Sequence, residues 1–168
     1  MKLNLGCSNH YFEGFVNLDI NKEKDIYGQE CKVDVVHDLN VYPYPFEDNT
    51  FEYIHASAVI EHLDDVIKTM KEIKRILKPG GVVYILVPHF SAWLNHSDPS
   101  HKWMFSISMA NHSLFNQGME VIESEIVYSE NKFLKIFNFL PNLFPKFYER
   151  FYAYIFPSNF ATWRLRKR

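Results

Sequence analysis

Hydrophobic positions in the first half of this chain come in short bursts separated by polar punctuation. Leu3-Asn4-Leu5, Phe15-Val16-Asn17-Leu18 and Val33-Asp34-Val35-Val36 are runs of strand length, and they predict strands over residues 2–6, 15–20 and 33–37. Pro43, Pro45 and Asp48-Asn49 mark a loop, after which residues 51–56 read as a fourth strand. The period then changes. Val66, Met70, Ile73 and Leu77 fall at steps of four, three and four, one face of an α-helix, with Lys68, Lys71, Lys74 and Arg75 on the solvent side. Asp64 or Asp65 is placed to cap its start, and Pro79-Gly80-Gly81 to stop it. Residues 82–87 follow without polar alternation, the pattern of a strand covered on both faces. A helix between such strands implies a parallel sheet and an α/β fold.

After Pro88 the texture is less regular. Residues 88–104 are loop-like and rich in His, Asp and aromatics, and a short helix is expected over 106–117. A strand is expected over 121–129, then an aromatic stretch over 133–156 broken by Pro141 and Pro145. In residues 160–167 Trp163 and Leu165 alternate with Arg164 and Arg166, which predicts a last strand. No linker separates a second unit, so residues 1–168 are expected to form one domain.

Composition narrows the classes. With 168 residues, 47% hydrophobic and a net charge of -2, the chain has no global field for nucleic acid or anionic lipid, and no nucleic-acid partner is expected. Two cysteines, Cys7 and Cys31, make no disulfide framework and suit a reducing, cytoplasmic location. No secretory leader is recognisable, and no apolar run reaches the roughly 18 residues of a membrane span.

The chemistry starts where the first strand ends. Gly6 follows Leu5, and Asp19 closes the second strand, so a backbone turn lies beside a carboxylate able to grip a ribose. A dinucleotide site wants G-x-G-x-x-G and a helix N-terminus for its pyrophosphate. The loop Gly6-Cys7-Ser8-Asn9-His10 has one glycine and little room for a helix before Phe15, and no G-x-x-x-x-G-K-[ST] loop occurs. A nucleoside without phosphates fits better than NAD.

Leu3-Asn4-Leu5-Gly6-Cys7, Asp19, His37-Asp38-Leu39, the stretch 45–52, Glu61-His62-Leu63 and Ile76-Leu77-Lys78-Pro79-Gly80-Gly81 together resemble class I S-adenosylmethionine-dependent methyltransferases. They are most similar to the small type-11-like group with a shortened first helix, over roughly residues 2–90. The resemblance implies a Rossmann-like, doubly wound, mostly parallel sheet of about seven strands with the last antiparallel. It implies S-adenosyl-L-methionine as cofactor. Asn4, Gly6, Cys7 and Ser8 would underlie its methionine part. Asp19 would hold the ribose hydroxyls with Ile20 alongside. Asp38 and Leu39 would border the adenine. Ser57, Glu61 and His62 would line the methionine and the way to the acceptor. Ser8 and His10 stand where that family usually has glycine, which bears on affinity.

The acceptor side reads less clearly. His89, His96, Asp98 and His101 cluster after the fifth strand, where the sheet's carboxyl edge would present an acceptor pocket. Their spacing matches no standard metal-ligand pattern, so no metal is expected. His89 or His101 is the expected base for an acceptor hydroxyl or amine. Residues 133–156 suit packing, a homodimer face or a weak membrane-surface contact. The expected reaction is methyl transfer to a small-molecule or sugar-containing acceptor. The alternative is an S-adenosylmethionine-binding scaffold without turnover.

Overall fold

In a computed structural model, which describes residues 1–21, 23–24, 28–129 and 134–168, the short apolar bursts become strands of one sheet. They are β1 (Lys2–Leu5), β2 (Val16–Asp19), β3 (Val35–Val36), β4 (Phe51–Ser57), β5 (Leu77–Pro88), β6 (Glu120–Val127) and β7 (Phe160–Arg166). The order is β3-β2-β1-β4-β5-β7-β6, and β7 alone runs antiparallel to its neighbours. This is the Rossmann-like α/β sheet that the motifs implied.

The third strand is shorter than residues 33–37. The ladder ends at Asp34, whose N–H still donates to the Asn17 carbonyl at 2.8 Å while its carboxylate, in place of a backbone carbonyl, accepts the Asn17 N–H at 2.8 Å. The helix α1 (Val66–Ile76) starts as expected, with Asp65 accepting from the Lys68 N–H at 2.9 Å, and buries Val66, Met70, Ile73 and Ile76. Its end differs from the expectation. Lys78 precedes proline and is driven to extended backbone, so the helix stops at Ile76 and Leu77 already pairs with Phe51. Pro79-Gly80-Gly81 therefore lies inside β5, where the register shifts between Phe51 and Tyr53. Gly80 has φ +78°, and a Cβ on Gly81 would stand 2.9 Å from the Lys78 carbonyl oxygen, so the kink needs both glycines.

The two sheet faces differ. Ile54, Ala56, Val83, Ile85, Val87, Trp163 and Leu165 form the core on the α1 side. On the other face Val82, Tyr84 and Leu86 are only half-buried, so β5 is not covered equally on both sides. No helix joins β1 to β2, so the expected short first helix is absent altogether. Side chains take over its role as cover. His55 stacks on Tyr84 at 5.2 Å, Phe12 leans on His55 at 5.0 Å, and Arg164 lies 5.8 Å over Tyr84.

Beyond β5 come short pieces: α2 (Leu94–Ser97), a 3-10 turn (Ile107–Asn111), α3 (Ser113–Asn116), α4 (Phe139–Leu143) and α5 (Pro145–Phe151). The single helix expected over 106–117 is split because His112 is extended. Two asparagines of the aromatic stretch finish the outer edge of β6. Asn142 accepts from Ile126 N at 2.8 Å and donates to its carbonyl at 2.7 Å, and Asn138 accepts from Ser129 N at 3.0 Å. Phe133 of that stretch lies outside the described residues. Among those described, no helix is long and apolar enough to cross a membrane.

Candidate functional site

Leu3 and Leu5 are fully buried and seat β1 at the middle of the sheet, so the turn at Gly6 opens at its carboxyl edge. Gly6 has φ +68°, and a Cβ there would come 2.3 Å from Val59 Cγ2. Only glycine meets both conditions. The N–H groups of Gly6 and Cys7 both donate to the Leu18 carbonyl, at 2.8 and 3.0 Å. Ser8 N donates to Asp19 Oδ2 at 2.8 Å, and Asn21 N to Asp19 Oδ1 at 2.9 Å. The loop's amides are thus committed to β2 rather than aimed at an anion. A pyrophosphate has no cradle here, whereas each Asp19 oxygen keeps a lone pair for a hydroxyl.

Asn4 serves the loop from below rather than the cavity alone. Its Nδ2 donates to Asn17 Oδ1 at 3.0 Å and to the His10 carbonyl at 2.7 Å. Asn17, fully buried, accepts from Phe12 N at 2.9 Å and donates to Phe12 O at 3.0 Å. These two amides hold residues 8–12 in the place a helix would take. Asn17 is absent from the expected site set, although a lone polar residue inside Phe15-Val16-Asn17-Leu18 was a visible signal.

Two cavities open at this edge. One of about 370 Å³ is lined by Asp19, Ile20, Asp38 and Leu39 among others. A second of about 490 Å³ is lined by Asn4, Cys7, Ser57, Glu61 and His101 among others. Gly6, Ser8, Ala58 and His62 border both, so the chambers meet there. Both volumes lie in the range of about 300–1,000 Å³ typical of ligand sites. Eleven of the expected residues plus His101 thus gather at one edge.

His89 does not join them. Pro88 faces the larger cavity, and strand alternation turns the next residue to the opposite side. His89 is fully buried, with Nδ1 2.8 Å from Ser91 Oγ and Nε2 3.1 Å from Glu149 Oε1. Burial opposes the charge on Glu149, but hydrogen bonds from His89, Ile107 N and Ser106 win and hold its carboxyl below the usual value. His89 therefore ties the acceptor loop to α5 and takes no place at the site, contrary to the expectation for it.

Polar groups in the larger cavity are strongly perturbed. Glu61 is fully buried, and neither carboxylate oxygen has a hydrogen-bond partner. Burial pushes its carboxyl up to about 7; a backbone hydrogen bond opposes this and the Asp98 charge adds to it. His62 is held below the usual imidazole value by burial and by His101, whose ring lies 4.8 Å away. Burial, with Asp19 nearby, pushes the Cys7 thiol up to about 12, so it offers no thiolate nucleophile.

Residues 4–85 match a family model described as a methyltransferase domain. Among curated proteins, the sterol 4-C-methyltransferase strm-1 of Caenorhabditis elegans is 35% identical over 77 residues, 45% of this chain and 20% of that protein. A demethylmenaquinone methyltransferase of Staphylococcus saprophyticus is 32% identical over 76 residues, 45% of this chain and 30% of that protein. The matched stretch thus spans less than a third of the length of these relatives. An S-adenosylmethionine-dependent methyltransferase structure from Archaeoglobus fulgidus superposes with a TM-score of 0.69 at 18% identity, covering 99% of this chain and 85% of that one. One from Mesorhizobium loti gives 0.65 at 13% identity, covering 99% and 90%. At such identities the likeness concerns the fold.

Proposed function

We propose that the chain is a class I methyltransferase of the type-11 group, the family whose model matches residues 4–85, and that it transfers a methyl group to a hydroxyl or amine of a small or sugar-containing acceptor. Family and fold imply S-adenosyl-L-methionine as cofactor. When bound, it supplies a sulfonium methyl that forms a bond to the acceptor atom as its bond to sulfur breaks, leaving a neutral thioether.

The observation that carries this reading is Asp19. It stands at the tip of β2 with both oxygens anchored by backbone N–H groups, facing a cavity floored by Gly6 and walled by Asp38 and Leu39. These carboxylate acceptors suit the hydroxyls of a ribose and the amine of a base beyond it. Asp38 is itself steadied by accepting from Asn40 N at 2.9 Å. Asn4, Cys7 and Ser8 would lie beneath the methionine part. Ser57, Glu61 and His62 would line the passage into the larger cavity. The protein's work is alignment and exclusion of water, since the leaving group is already good. The reacting hydroxyl or amine of the acceptor would sit beside Glu61, His62 and His101 in the larger cavity. Calorimetric titration with S-adenosylhomocysteine tests the reading: one equivalent should bind. No binding, together with a thermal shift by NAD, would reverse it; binding with no methylation across an acceptor screen would favour the scaffold alternative.

A second reading concerns where the acceptor resides. Ile136, Phe139, Leu143, Phe144, Phe147 and Tyr154 are all more than half exposed, with Lys135, Lys146 and Arg150 exposed among them. Such a surface suits the interface of a lipid bilayer, and sterols and demethylmenaquinones, the acceptors in the relatives' names, are lipids. Co-sedimentation with vesicles containing anionic lipid should retain the chain; recovery of all of it as a dimer in the supernatant would favour a homodimer face instead.

A further inference from the structure

We propose that Glu61, His62 and His101 bind a divalent transition-metal ion on the wall of the larger cavity. The ligand atoms of these three residues lie within 4.8 Å of one another. At metal–ligand lengths of about 2.1 Å, tetrahedral ligands stand about 3.4 Å apart, so small side-chain rotations close the set. Two imidazoles and a carboxylate suit zinc, cobalt or iron rather than magnesium or calcium, and they leave positions open toward the cavity.

Two features make this a built site rather than a chance cluster. Glu61 has no exposure, yet both of its carboxylate oxygens lack a partner, and so does the buried His101 Nδ1. Unsatisfied buried groups that converge on one point call for an ion or water between them. The hydrogen bond behind His62 also selects the tautomer a metal needs. Ser100 Oγ donates to Asp98 Oδ1 and lies 3.0 Å from His62 Nδ1, so that nitrogen is the donor and Nε2 keeps its lone pair. His101 turns Nε2 toward Asp98 Oδ2, 3.8 Å away, and its buried Nδ1 has no partner. Asp98 thus stands behind both rings, reaching His62 through the Ser100 hydroxyl and His101 by charge, the place carboxylates commonly take behind metal-bound histidines. The spacing gave no hint because the ligands come from two separate segments, the 3-10 turn at Ile60–His62 and the loop after α2.

An ion there could lower the pKa of an acceptor hydroxyl. That use rests on the methyl-transfer reading; the binding itself does not. The test uses the whole chain, stripped with a chelator, dialysed and titrated with Co²⁺ by visible absorption, then with Zn²⁺ in competition. One equivalent should bind with d–d bands showing nitrogen ligation. Glu61→Gln and His101→Ala should each weaken it at least 100-fold, while His96→Ala, an exposed histidine nearby, leaves it unchanged. Circular dichroism checks that the variants fold. If either variant unfolds, His62→Gln takes its place with the same expected loss. No binding, several weak equivalents, or one equivalent undiminished in the folded variants would overturn the proposal. Metal binding in a chain that fails to bind S-adenosylhomocysteine would count against the cofactor reading alone.

Discussion

The segment around Gly6 and Asp19 and the segment over residues 134–156 use their side chains in opposite ways. In the first, nearly every polar group is spent on backbone: Asn4, Asn17 and Asp19 all bond to loop amides or carbonyls. In the second, large apolar groups such as Phe144 and Tyr154 stand exposed, and a few polar groups, Asn138, Asn142, Tyr148 and Glu149, are bonded to neighbouring backbone. A cradle for a fixed ligand constrains the chain's own backbone. A surface for a partner or an acceptor leaves most of its side chains without a role in the chain's own folding.

The comparison breaks most sharply at glycine. Gly6→Ala adds a Cβ 2.3 Å from Val59 at φ +68°, and should cost about 3 kcal/mol in chemical denaturation and abolish cofactor binding. Gly14→Ala, at φ +78° with open space around it, should cost only about 1 kcal/mol. Equal costs would mean that the Gly6 turn is not packed as described.

Next comes Glu61. Its carboxyl is raised from 4.5 to about 7, so the folded state holds a proton that the unfolded chain has released. The stability from neutral Glu61 is present in full below pH 4.5 and is lost as pH rises through about 7. In chelator-treated protein, Glu61→Gln should therefore match the parent at pH ~4, below the unfolded value, and exceed it at pH ~8 by up to about 3 kcal/mol. Denaturation at the two pH values decides it; parallel curves would contradict the burial of an unpartnered carboxyl.

Asn142→Ala should cost about 1–2 kcal/mol by freeing the Ile126 amide and carbonyl at the β6 edge. Phe144→Ser, at a side chain 66% exposed, should change stability by less than about 0.5 kcal/mol and leave cofactor affinity alone. Its effect should appear in vesicle co-sedimentation instead. A loss of stability there would move the aromatic stretch into the core.

The same contrast explains what could be read from the residues. The strands over 2–6 and 15–20, the Asp65 cap and the Gly6–Asp19 pairing were legible because each follows from a local rule of period, capping or turn geometry. Pro79-Gly80-Gly81 misled because a helix stop and a kinked strand demand the same residues. His89 misled because the side a residue faces is set by strand alternation, and composition after a strand end does not reveal it. The Glu61, His62 and His101 cluster was hidden because it joins segments far apart in the chain.

The most direct test of the cradle is calorimetric titration of S-adenosylhomocysteine into the parent chain and into Asp19→Asn, with melting temperatures measured alongside. Loss of charge-assisted bonds to the ribose should weaken binding about 10- to 100-fold in a chain that still melts cooperatively. Equal affinity in the two proteins would contradict the assignment of Asp19 to the ribose, and with it the placement of the cofactor at this edge.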